Sequence, residues 1–167
     1  MTDLLVYGTI RNAVNMPSVD AHTMKTLKPY FQAGSILGTL VQQLTPDTIQ
    51  KVEITYYGRL VELDTMPLTR TIQKGYLHNI LGDAINDINV SVHMKRLGIE
   101  VTVSKSNADT AYSELIRLVA TLESGDKVTV EGTVMGRDAD PRVVSINERS
   151  IEIAPRNVLM LIENQDT

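Results

Sequence analysis

Cysteine is absent from the 167 residues, and that absence removes disulfides, thiolate metal sites, ligation of an iron–sulfur cluster by this chain and a cysteine nucleophile. Also missing is any uncharged apolar run near the ~20 residues needed to span a bilayer. The N-terminus has no basic region leading into an apolar one, so no secretory signal is read there. No glycine-rich dinucleotide fingerprint follows a predicted strand and no phosphate-loop signature occurs, so this chain is expected to carry no cofactor-binding unit of its own. There is no basic surplus: 16 Lys and Arg stand against 20 Asp and Glu, a net charge of -4. Nucleic acid, whose phosphates demand a basic surface, is therefore not an expected partner, and neither is a membrane. His22, His78 and His93 each stand alone on or beside a separate predicted helix, without the i, i+4 pairing or carboxylate neighbours of a zinc site, so no metal is expected.

What is present describes an ordinary soluble globular chain, with 43% hydrophobic and 22% charged residues and room for one domain with a true core. Cytoplasm is the default location. Residues 1–16 have no strong period and read as an entering linker, with Met16-Pro17-Ser18 as the boundary, because a proline pushes its predecessor out of the helical region. A helical pattern starts at Val19 with Ser18 or Asp20 as N-cap, and Pro29 is expected to split it into two helices. The second of these carries Tyr30, Ala33, Gly34, Leu37, Leu40, Val41 and Leu44 at helical spacing, a stripe wide enough to dock on a sheet. Val52, Ile54 and Tyr56 alternate with polar residues as a half-buried strand, expected to continue through Arg59 to Leu63 after a turn or bulge at Gly58.

Thr65 reads as the N-cap of a helix with Pro67 in its first turn and Leu68, Ile72, Tyr76 and Ile80 as its inner face; Gly82 stops it. Asn89 is expected to cap a helix over Val90 to Leu97, ended by Gly98. Ile99 to Ser104 alternates as a strand. The stretch around Leu115 to Leu122 reads as a strand with apolar groups on much of both faces. Ser124-Gly125-Asp126 turns into a strand over Lys127 to Met135, followed by turns at Asp138 to Pro141 and Asn147-Glu148. Val158 to Glu163 is apolar for five residues and is expected to form a central strand. With about four helices placed mostly early and six or seven strands placed mostly late, the fold class is α+β: a mixed, largely antiparallel sheet with helices packed on one face.

The candidate chemistry is sparse. Arg137, Arg142, Arg149 and Arg156 fall on or beside the late turns, and their planar donor forks suit phosphate or carboxylate. Asp138, Asp140, Glu148 and Glu152 offset them, so a solvated surface with cross-strand ion pairs explains the same pattern. Lys105, in Ser104-Lys105-Ser106, is expected just past a strand in a loop and could contact an anion or water equally. Glu62 and Asp64, two apart on the predicted strand, would share a side as acid/base partners require, although a polar sheet edge accounts for them. Gly34 and Gly38 would admit a close backbone neighbour.

Five stretches together carry a resemblance: RNAVNMPSVD from Arg11, VEITYYGRLVELDTMPLT from Val52, INDINVSVHMKRLGIEVTVSKS from Ile85, VEGTVMGRDADPRVVSIN from Val130 and NVLMLIENQDT from Asn157. In this order they resemble the intervening, or allosteric substrate-binding, domain of long-form D-3-phosphoglycerate dehydrogenases. The resemblance implies a parent enzyme that oxidises 3-phosphoglycerate with NAD in the first step of phosphorylated L-serine biosynthesis. In such a parent, an adjacent catalytic half holding the catalytic residues and the NAD site lies upstream, and a serine-binding ACT domain lies downstream. By the same likeness this chain is not itself an enzyme and holds no cofactor. Residues 1–16 would be the linker from the catalytic half, 17–164 the intervening domain, and 165–167 the start of the linker to the ACT domain. The implied role is regulatory, in a homo-oligomer, through a small anionic effector such as 3-phosphoglycerate or phosphate. Arg142 and Arg149 align with basic positions of that site, while a third position falls near Ala154 with Arg156 displaced by two residues; Arg137 and Lys105 complete the candidates. Two other readings stand beside this one. The first is a structural subunit-contact module without ligand, suited by double-faced apolar strands and the Gly34/Gly38 helix. The second is the related domain in the β portion of iron–sulfur L-serine dehydratases.

Overall fold

The computed structural model describes residues 19–162 and Asn164; the expected linkers, the Ser18 cap and the Glu163 end of the last expected strand lie outside the described residues. The first helix, α1 (Ala21–Leu44), begins at Asp20. The Asp20 carboxylate accepts from the Thr23 amide at 2.9 Å and from the Thr23 hydroxyl at 2.7 Å. These two bonds, the hydroxyl's foremost, hold its carboxyl below the ordinary value. Pro29 does not divide the helix as expected; α1 runs through it. An interior proline costs about 3 kcal/mol, but Leu27, Tyr30, Ala33 and Leu37 around it are all buried. At about 1.5–3 kcal/mol for each large apolar side chain removed from water, the packing of that face outweighs the break.

Strand β1 (Ile49–Gly58) follows. The expected continuation over Arg59 to Leu63 is instead a 3-10 turn, Arg59–Glu62. Gly58 adopts φ +69°, and a Cβ there would lie 1.8 Å from the Ser113 carbonyl oxygen, so β1 ends where a neighbouring backbone crosses close above it. Glu62 and Asp64 thus share no strand. Asp64 rather than Thr65 supplies the side-chain cap of α2 (Met66–Leu81), accepting from the Met66 amide at 3.0 Å. Leu68, Ile72 and Tyr76 are buried as expected, but Ile80 is exposed and Leu77 is buried instead, because the contact face turns towards Leu77 at the end of the helix. Helix α3 (Val90–Arg96) stops before Gly98 at φ +74°. Asn89 sits at its start without a cap bond; its side chain instead accepts from the Asn86 amide and donates to the Ala84 carbonyl.

Strands β2 (Glu100–Ser106), β3 (Glu114–Leu122), β4 (Lys127–Met135), β5 (Asp140–Ile146) and β6 (Arg149–Ile153) complete a six-stranded sheet in the order β2-β1-β3-β4-β5-β6. Among the described residues only β1 and β2 run parallel, joined by a crossover through α2 and α3, and the other pairings are antiparallel. The β3–β4 and β5–β6 connections are the expected tight turns, the latter with Asn147 and Glu148 both at positive φ, as the twist of a two-residue hairpin requires. The architecture is the expected α+β fold. The main core lies between the helices and one face of the sheet, with Leu27, Leu37, Ile72 and Leu77 meeting Ile54, Tyr56, Ile116, Leu118 and Val130. β3 is apolar on both faces: its Leu115 joins Tyr57 and Val144 in a small second cluster across the sheet.

Two expectations about surfaces change. Gly34 and Gly38 face α2 of the same chain: a Cβ at Gly38 would meet the Ile72 carbonyl oxygen at 2.0 Å. They serve the internal helix pair, so they supply no argument for a subunit contact. Residues 158–162 form no strand, central or otherwise. Val158 is 89% and Ile162 81% exposed. Their side chains favour extended structure, but Pro155 and the positive φ of Asn157 intervene after β6, and the middle of the sheet is already filled by β1 and β3.

Candidate functional site

The register gathers one end of the sheet into a polar rim. Gly58 of β1 lies opposite Glu114 of β3, Met135 of β4 opposite Asp140 of β5, and Tyr57 beside Ser106 of β2. Into this rim the fold brings two of the sequence-derived arginines. Arg142 Nη2 stands 3.6 Å, and Arg156 Nη2 3.3 Å, from the same Asp140 Oδ2. Arg142 also donates to the Pro141 carbonyl at 3.1 Å. Its side chain is only 22% exposed, whereas that of Arg156 is 74% exposed. Two guanidiniums around one carboxylate leave one net positive charge, with planar donors able to accept a carboxylate or phosphate. The exposed Arg137 is in the turn that leads into Asp140, flanked by Gly136 at φ +76° and Ala139 at φ +51°.

The other candidates stand elsewhere. Arg149 begins β6 at the opposite end of β5, paired with Ile146, while Arg142 is paired with Thr133. Cross-strand partners share a face. Ile146 packs on the main core beneath the helices, and Thr133 alternates with Gly132, whose Cβ would meet Leu37 of α1. Arg142 and Arg149 therefore occupy opposite faces as well as opposite ends. Lys105 lies within β2, not in a loop past a strand, because the pairing with β1 extends to Ser106. Its Nζ donates to the Leu63 carbonyl at 2.6 Å, at the far edge of the sheet from β6. His22 and His78 are exposed and His93 half-buried; among the described residues no cluster of three or more His, Cys, Asp or Glu could hold a metal ion, and no helix is long and apolar enough to cross a membrane.

One charged group at the rim was not legible in the sequence. Glu114, at the start of β3, is buried, with its side chain 9% exposed. It accepts from Arg59 Nε through one oxygen and from the Tyr30 hydroxyl, at 3.1 Å, through the other. The bond to Glu114 holds the Arg59 guanidinium above its ordinary value; burial, and then the nearby carboxylate, push the Tyr30 hydroxyl up. These residues come from α1, the 3-10 turn and β3, separated by 84 and 55 positions. The only local sign was the Gly58-Arg59 step that ends β1.

Comparison with known proteins gives this geometry a family. The model of the D-3-phosphoglycerate dehydrogenase intervening domain matches residues 26–147. The D-3-phosphoglycerate dehydrogenase of Bacillus subtilis (strain 168) is 29% identical over 160 residues, which are 95% of this chain and 30% of that protein. The enzyme of the same name from Synechocystis sp. is 29% identical over 98% of this chain and 29% of its own length, and that of Methanocaldococcus jannaschii 28% identical over 93% and 29%. The chain thus spans about 30% of the length of the curated relatives it matches. The match of the intervening-domain model over well over half of the chain, in a fold of the expected class, means that this chain belongs to the D-3-phosphoglycerate dehydrogenase intervening-domain family.

Proposed function

We propose that this chain is the regulatory, effector-binding and oligomer-forming region, residues 17–164, of a cytoplasmic NAD-dependent D-3-phosphoglycerate dehydrogenase acting at the first step of phosphorylated L-serine biosynthesis. Catalysis and NAD binding belong to an adjacent domain of that parent, and an ACT domain is the other neighbour. The effector is a small phosphorylated or carboxylate anion, 3-phosphoglycerate or phosphate. The observation that carries the reading is the convergence of Arg142 and Arg156 on Asp140, with Arg137 in the adjoining turn. An incoming anion exchanges with the Asp140 carboxylate for the same two forks. It changes activity only if it prefers one arrangement of the neighbouring domains.

Titration of the chain with inorganic phosphate and with 3-phosphoglycerate, followed by amide chemical shifts, tests this. Saturable shifts are expected over residues 136–143 and near Arg156, weakened about tenfold or more in Arg142→Gln and Arg156→Gln, the loss of one charge-assisted bond. Arg149→Gln, on the other face, leaves them unchanged. Absence of any shift in this region at millimolar ligand refutes the assignment. A second reading, a subunit-contact module, is favoured by the two edge strands, β2 and β6, which have no outer strand neighbour among the described residues, with Val103 exposed on the first. Since both readings expect an oligomer, ligand binding separates them: a stable oligomer by light scattering with no shift on adding phosphate or 3-phosphoglycerate favours the module, and a strictly monomeric mass is incompatible with it.

A further inference from the structure

Beyond the carboxyl end of the one parallel pair among the described strands lies an open cavity of about 420 Å³ lined by Gly58, Arg59, Glu62, Asn107, Asp109 and Tyr112, among others. Its position follows from the strand order. β1 lies between β2 and β3, so the 107–113 connection must cross the end of β1, where the 3-10 turn begins, and the cavity lies between that connection and the turn. The close approach of Ser113 to Gly58 closes its floor.

The charges around this cavity are of both signs and are differently held. Arg59 is oriented from behind by the buried Glu114, which the Tyr30 hydroxyl in turn fixes, yet its side chain stays 79% exposed. Glu62 and Asp109 line the same cavity, and neither makes an ion pair among the described residues. A phosphate dianion placed here would meet two carboxylates, and a simple cation would meet a guanidinium. A ligand carrying a carboxylate and an ammonium a few ångströms apart satisfies both. We propose that this cavity binds a small free α-amino acid, its carboxylate on Arg59 and its ammonium between Glu62 and Asp109. This site shares none of the residues named around Asp140 and takes a different class of ligand.

The test is an amide-shift titration of the 167-residue chain with L-alanine, with acetate, methylammonium and inorganic phosphate as separate arms. L-alanine is expected to give saturable shifts over residues 58–62 and 107–113, and each half-ligand to bind at least about tenfold more weakly, since one charge-assisted contact set is lost. Arg59→Gln should weaken L-alanine by a similar factor. Because that change also strips a partner from Glu114, the double variant Glu62→Gln/Asp109→Asn, confined to exposed carboxylates, provides an independent reading with the same expected loss. Arg142→Gln should leave this titration untouched, so failure here and failure at Asp140 are distinguishable. The proposal is overturned if L-alanine produces no saturable shift in these segments. It is equally overturned if acetate or phosphate matches L-alanine, or if the double variant binds it as well as the parent chain does.

Discussion

The sharpest consequence of the fold concerns Gly38→Ala. In an isolated helix the change would stabilise by about 1 kcal/mol, because alanine restricts the unfolded backbone and favours helix. Here the new Cβ would stand 2.0 Å from the Ile72 carbonyl oxygen, 2.9 Å from the Tyr76 nitrogen and 3.0 Å from the Ile72 carbonyl carbon. Since carbon–oxygen contacts settle at roughly 3.3 Å, the α2 backbone must retreat by about 1 Å. A gap of that size forfeits a quarter to a half of each dispersion contact it opens, and overpacking of this kind costs about 1–3 kcal/mol. The retreat also stretches the Thr39 hydroxyl bond to the Gly75 carbonyl, now 3.0 Å. With the backbone contact at the upper part of that range, we expect a net loss of about 1–2 kcal/mol after the gain in helix propensity is subtracted. Urea denaturation should show a lower midpoint with an unchanged slope, a fall of about 0.5–1 M for a slope typical of this size. Gly34→Ala is the control. Its new Cβ meets side-chain atoms, Leu68 Cδ1 at 2.8 Å and Ile72 Cγ1 at 3.1 Å, which can rotate, so its effect should stay within about 1 kcal/mol. Equal damage from the two substitutions, or a neutral Gly38→Ala, would refute the argument that backbone contact sets this helix spacing.

Other measurements follow from the same structure. Glu114→Ala leaves the buried Tyr30 hydroxyl and Arg59 Nε without their shared acceptor and should destabilise by about 2 kcal/mol, with Glu114→Gln recovering part of it, by chemical denaturation at neutral pH. Burial pushes the hydroxyls of Tyr56, Tyr30 and Tyr76 above the ordinary tyrosine value. The unfolded chain therefore releases these protons first: their contribution is complete below about pH 10 and is lost as pH rises through the folded values. Each adds a slope of up to about 1.4 kcal/mol per pH unit in that window, so Tyr56→Phe should flatten the alkaline fall in the urea midpoint. A fall equally steep in that variant would contradict the assignment. Val158→Asp and Ile162→Asp, at exposed positions outside the sheet, should each shift stability by no more than about 0.5 kcal/mol; a loss of several kcal/mol in either would mean that the segment is packed.

Much of the fold was legible because it rests on local patterns. The alternation of Val52, Ile54 and Tyr56, the double-faced run of β3, the Ser124-Gly125-Asp126 and Asn147-Glu148 turns and the stops at Gly82 and Gly98 are each set by side-chain period or by backbone conformations within a few residues. The absence of cysteine likewise excludes thiol chemistry in this chain. Where local rules failed, a distant contact had overruled them. Pro29 predicts a break, but the burial of Leu27 and Tyr30 against the sheet holds α1 in one piece. Gly58 reads as a turn or bulge after which the strand continues, and the backbone at Ser113 makes it an end. The apolar run from Val158 reads as a core strand, and no strand among the described residues pairs with it.

Function divides along the same line. By itself the sequence determined the family resemblance and the presence of arginines on the late turns, because both are properties of residues in order. Only the tertiary structure decided which charges meet: Arg142 and Arg156 share Asp140, Arg149 goes to the other face through a single step of register, and Glu114 reaches back 55 positions to hold Arg59. Strand pairing converts sequence distance into spatial proximity by rules of period two, so one residue of register moves a side chain across the sheet. No local reading of the chain contains that information.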